Sequence, residues 1–71
     1  MLLYMNLIEG LQQEINRVRS IITEYEAIPN GAGKFASTMM RAAIKNAENQ
    51  IASYDTVEMI QALKDLKSYT L

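Results

Sequence analysis

Seven apolar side chains, Tyr4, Ile8, Leu11, Ile15, Val18, Ile22 and Tyr25, recur at alternating steps of four and three residues. That spacing keeps one stripe on one side of a helix, as in a heptad seam. Leu7, Ile21 and Ile28 widen the stripe, while Glu9, Gln12, Gln13, Glu14, Asn16, Arg17, Arg19, Ser20, Thr23, Glu24 and Glu26 make a polar back. A helix over residues 2–27 is predicted, and its apolar face has to be covered by another element. Gly10 lies inside the pattern at a cost of about 1 kcal/mol relative to alanine. It is either tolerated or used for a close backbone approach or a slight bend.

The break that follows is strong. Pro29 disfavours helical dihedrals at Ile28, so the first helix ends there or just before. Asn30-Gly31 is a turn pair, and Gly33 can take positive φ at little cost. A turn over residues 28–33 makes the two flanking helices antiparallel neighbours. The second helix is expected over residues 34–52, with Ala36, Met40, Ala43, Ala47 and Ile51 on its apolar side and Phe35, Met39 and Ile44 flanking. Its alanines let two helix axes come close, and the methionines fill irregular gaps or lie at a subunit contact.

Asp55, with Glu58 three residues on, has the form of a capping box, and Tyr54 with Met59 the form of a hydrophobic staple. A shorter third helix is expected over residues 56–69, either separate from the second or continuous with it through a bend. Val57, Met59, Ile60, Ala62, Leu63, Leu66 and Tyr69 are its expected inward residues, with Glu58, Gln61, Lys64, Asp65 and Lys67 outward. The fold class is all-α, one domain over residues 1–71: an antiparallel hairpin plus a third helix.

Size then bears on assembly. A chain of 71 residues hides only about 60% of its unfolded surface, and small proteins usually add a disulfide, a metal or a partner chain. Cysteine and histidine are absent, which removes disulfides and the common metal ligands. With 49% apolar residues and five methionines, a homo-oligomeric helical bundle is the remaining support. The opening Met1-Leu2-Leu3-Tyr4-Met5 is short and lacks a positive leader, and no run is long enough to span a bilayer. A cytoplasmic protein without a membrane contact is expected. The net charge of -1 argues against general nucleic-acid binding.

One face of the second helix carries chemistry. Lys34, Thr38, Arg41 and Lys45 stand four, three and four residues apart in one line, with Ser37 beside them and no acid between Lys34 and Lys45. The line starts at a glycine-preceded helix N-terminus, where free amides and the helix dipole favour an anion. Tyr25, at the end of the first helix, falls near the same turn and can stack on a base or simply close the seam. The candidate ligand-binding residues are therefore Tyr25, Gly31, Gly33, Lys34, Ser37, Thr38 and Arg41; the alternative is a solvated polar face. Gly31-Ala32-Gly33-Lys34 is not a phosphate loop of the Walker type. The glycine spacing is wrong, Phe35 follows the lysine, and no strand precedes it. Without histidine or cysteine the common general base and the best nucleophile are missing, so no enzyme, cofactor or metal is expected.

The runs Glu14-Ile15-Asn16-Arg17-Val18-Arg19, Glu24-Tyr25-Glu26-Ala27-Ile28-Pro29, Gly31-Ala32-Gly33 and Met39-Met40-Arg41 resemble small helical proteins of phages and prophages. In size and layout the chain is also similar to the viral sponge proteins, anti-CBASS and anti-Thoeris, that sequester cyclic-nucleotide immune signals. The resemblance implies multimers with ligand pockets between subunits and non-catalytic sequestration of a phosphate-bearing signal. The alternative is a protein-interaction module or inhibitor using the heptad seam to bind a partner helix. A DNA-binding regulator, with the second helix as reader, is a third and weaker reading.

Overall fold

The computed structural model describes residues 2–70, with side chains from residue 6 to residue 70. Among them are three α-helices, α1 (Leu2–Glu26), α2 (Lys34–Ser53) and α3 (Thr56–Lys67), and no strand. Every pair of helices is in contact, and the molecule is a rod of 46 × 16 × 16 Å. No helix among the described residues is long and apolar enough to cross a membrane.

The α1 seam is buried as its spacing demands. Leu11, Ile15, Val18 and Ile22 are almost fully covered, Ile21 joins them, and Ile8 and Tyr25 are half-buried at the two ends. The side chain of Tyr4 lies outside the described residues. From α2 come Met40, Ala43, Ile44 and Ala47, and from α3 Met59, Ala62 and Leu66. Among the described residues, twelve apolar side chains are buried in the core of the single chain and six large ones are exposed: Ile28, Phe35, Met39, Tyr54, Val57 and Ile60. Four of those six lie on α2 and α3.

Local chemistry explains each boundary. Ile28 is extended (φ -68°, ψ 128°), as a residue before proline must be. A single 3-10 turn, Pro29–Gly31, follows, with Asn30 (φ 65°) and Gly31 (φ 70°) both left-handed. Asn and Gly tolerate that region best. Gly33 is needed for another reason than the expected positive φ. Its φ is -91°, but it is buried, and a Cβ there would run into the backbone carbonyl of Tyr25. The glycine lets the start of α2 pass against the end of α1. Gly10 has open space around its Cβ position, so it is tolerated rather than used.

Helices α2 and α3 are separate. Tyr54 is left-handed (φ 58°), and its N–H closes α2 by donating to the carbonyls of Gln50 and Ile51. Asp55 is extended and accepts at Oδ1 from the Glu58 amide at 3.1 Å. The staple does not form as expected: Met59 is fully buried while Tyr54 is 66% exposed, because the left-handed corner turns the tyrosine outward. Val57 and Ile60, expected inward, are 73% and 44% exposed. The buried stripe of α3 runs through Met59, Ala62 and Leu66, and Val57 lies two residues from Met59, on the far side of the helix.

The C-terminal end of α3 is held from α1. Arg17 donates from Nη1 to the Tyr69 carbonyl at 2.8 Å and from Nη2 to the Leu66 carbonyl at 2.9 Å, while its Nε donates to Glu14 at 3.0 Å. The guanidinium thus caps terminal carbonyls and meets the negative end of the helix dipole.

Three substitutions test these contacts by urea unfolding. Gly33→Ala should cost about 1–3 kcal/mol, the usual range for forcing atoms into a filled contact, whereas Gly10→Ala should gain up to about 1 kcal/mol. Arg17→Ala should cost about 1–2 kcal/mol, from lost charge-assisted bonds to carbonyls, and should remove amide-exchange protection at the end of α3 before that of α1.

Candidate functional site

The turn and the first two turns of α2 separate the sequence candidates. A cleft of about 300 Å³ is lined by Tyr25, Glu26, Ile28, Gly31, Lys34 and Ser37. Four expected residues, Tyr25, Gly31, Lys34 and Ser37, therefore meet. Gly33 is buried beneath the Tyr25 carbonyl as a packing element. Thr38 is exposed and outside the cleft. Arg41 points to another surface. The cleft itself is chemically mixed, because Glu26 sets a carboxylate beside Lys34. The Ser37 hydroxyl, 3% exposed, donates its proton to the Lys34 carbonyl at 3.0 Å, so it has no proton left to offer a guest.

Arg41 instead lines a larger groove, about 650 Å³, between α1 and α2. Ile22 and Ile44, both buried, form its floor. Arg19 and Thr23 rise from α1, one turn apart. Arg41, Lys45, Glu48 and Asn49 rise from α2. The arginines are steadied from the sides: Arg41 makes a forked pair with Glu26 (2.9 and 2.7 Å), and Arg19 donates to Glu48 at 3.1 Å. Lys45 has no ion-pair partner among the described residues. Three cations thus stand against two carboxylates, counting Glu26 behind Arg41. Each guanidinium has five N–H donors, more than its carboxylate uses. The groove offers spare charged donors and the Asn49 amide above an apolar floor, an arrangement that can take an anionic group attached to an apolar or aromatic body.

The linear basic face of α2 is thereby divided by height: Lys34 belongs to the turn cleft, Arg41 and Lys45 to the groove. Arg19, Thr23 and Asn49 were not candidates on sequence. The available signal was the four-residue step from Arg19 to Thr23 on the flank of the α1 seam, where a packed neighbour would bring it beside basic residues. Among the described residues no three acidic side chains gather in a metal-binding group. No family model matches this chain, and no curated protein or solved structure is significantly similar to it.

The Arg41–Glu26 pair is 61% and 45% exposed, and such pairs contribute about 0–1 kcal/mol. Arg41→Ala should therefore change unfolding stability by less than about 1 kcal/mol, measured by urea titration, which makes it a clean probe of the groove.

Proposed function

We propose that this chain is a non-catalytic binder of a phosphate-bearing small molecule and works as an assembly of several copies. In each copy α1 and α2 would form an antiparallel hairpin buttressed by α3. The observation that carries the reading is the groove between α1 and α2, where Arg19, Arg41 and Lys45 surround the apolar floor of Ile22 and Ile44. Phosphate oxygens suit guanidinium and ammonium donors, and a base or ribose suits the floor. A rod 16 Å thick leaves such a guest half in water, so a neighbouring copy is needed as a second wall. The resemblance to viral sponge proteins implies a cyclic nucleotide as the ligand, sequestration as the activity and the cytoplasm as the compartment.

A second reading, a protein-interaction module, is favoured by the exposure of Phe35 (78%) and Val57 (73%). It would not use the α1 seam, which α2 and α3 already cover. The partner would meet the outside of α2 or α3.

Thermal melts against cyclic di- and trinucleotides and ADP-ribose derivatives separate the two. A ligand at about a hundred times its Kd stabilises the fold by roughly 2.7 kcal/mol, which for a domain this small raises Tm by on the order of 10 °C. Arg41→Ala and Lys45→Ala should each abolish the rise, and Lys67→Ala on α3 should keep it. Melts unmoved by every nucleotide would remove the small-molecule reading and leave the interaction module.

A further inference from the structure

The outward face of α2 reads Phe35, Met39, Ala42, Asn46, Asn49 and Ser53, at steps of four, three, four, three and four. All six are exposed, and none is charged. Exposed helix faces normally carry charge, and 21% of this chain is charged. The first half of this line, Phe35, Met39 and Ala42, has the apolar heptad spacing of a helix–helix seam, and Asn46, Asn49 and Ser53 continue the line without charge. The spacing reads the same in both directions. A second α2 laid antiparallel would set Phe35 against the partner's Ser53, Met39 against the partner's Asn49, and Ala42 against the partner's Asn46. Phe35 thus faces a small serine, and Met39 and Ala42 face asparagines, so no two large apolar side chains meet head-on.

Charge selects the same orientation. Residues 27–47 contain Lys34, Arg41 and Lys45 and no carboxylate, whereas residues 46–63 contain Glu48, Asp55 and Glu58 and no lysine or arginine. Arg41 pairs with Glu26 and Glu48 with Arg19, while Lys34, Lys45, Asp55 and Glu58 have no ion-pair partner among the described residues. Antiparallel neighbours place Lys34 toward the partner's Asp55 and Arg41 toward the partner's Glu48, with the two Lys45 side chains near the two-fold axis. A parallel pair would set like charges together.

We infer that a second copy of this chain docks on that face, α2 against α2 and antiparallel, in a two-fold dimer. The contact is isologous, the commonest kind in homo-oligomers. It rests on the multi-copy part of the function proposed above and deepens it, because Asn49 belongs both to this seam and to the rim of the α1–α2 groove. The docked copy therefore stands at the open edge of the ligand groove and supplies the missing wall.

The chain has no cysteine, so engineered thiols report the contact directly. Phe35 and Ser53 are about 27 Å apart along one helix, at 1.5 Å per residue, too far to cross-link within a chain. A mixture of Phe35→Cys and Ser53→Cys proteins should form a disulfide-linked dimer under mild oxidation, and neither variant alone should do so to a comparable extent. Light scattering should give the wild type twice the chain mass. Phe35→Glu should weaken that dimer at least about tenfold, as for replacing a buried aromatic contact by a charge, with helical circular dichroism unchanged. A wild type that is monomeric at high micromolar concentration overturns both this inference and the multi-copy reading. A wild type that assembles but is indifferent to Phe35→Glu, or shows no preferential cross-link in the mixture, overturns this inference alone.

Discussion

A three-helix rod 16 Å across has room for one layer of side chains between its helices, and the rest of the molecule answers to that limit. Each helix can bury a single stripe. On α1 the stripe is long and branched; α2 meets it with alanines beside Met40 and Ile44, and α3 with Met59, Ala62 and Leu66. Large residues facing small ones keep the layer dense without widening the rod. The glycine at 33 belongs to the same economy of space, since the return from α1 into α2 is tight enough that a methyl group would strike the Tyr25 carbonyl. A layer this thin has no interior for a guest, so any chemistry has to be done on a surface or between molecules.

Polar contacts divide into two kinds with different work. Arg17 reaches across to the carbonyls of Leu66 and Tyr69 at the end of α3, where it meets the negative end of the helix dipole. That contact holds the third helix in register. The pairs Arg19–Glu48 and Arg41–Glu26 join side chains that are mostly exposed, and water weakens them. They add little to the fold. They do orient guanidinium groups at the groove with donors to spare.

How far all this was legible depends on what periodicity can encode. The α1 seam, the stop at Pro29, the Asn30-Gly31 turn and the Asp55 cap are local patterns, and the helices start where those patterns put them and end within two residues of them. The inward face of α3 was legible only in part: Met59, Ala62 and Leu66 are buried and Leu63 and Tyr69 pack against the core, but Val57 and Ile60 face out. Val57, Met59, Ile60, Ala62, Leu63 and Leu66 are spread around most of the helix, so no single period picks a side; the choice is made by contact with α1 and by the Arg17 clamp. The same holds for the candidate site. Lys34, Thr38, Arg41 and Lys45 do form a line on α2, but the line does not reveal that α1 supplies Glu26 to one member and Arg19 and Thr23 to the groove beside another. Those are long-range facts, and a one-dimensional pattern carries them only as unpaired faces.

If the proposed binding and the proposed dimer both hold, they would be coupled through one helix. The inner face of α2 builds the core, one flank walls the groove, and the outer face carries the uncharged seam, so a neighbour docked on the outside touches the groove at Asn49. A ligand that gains contacts from that neighbour binds the assembled form more tightly than the single rod, and by linkage it strengthens assembly by the same factor. The coupling needs no conformational change, only a wall that is present in one state and absent in the other. Under the proposed reading, occupancy would then depend on protein concentration as well as ligand concentration.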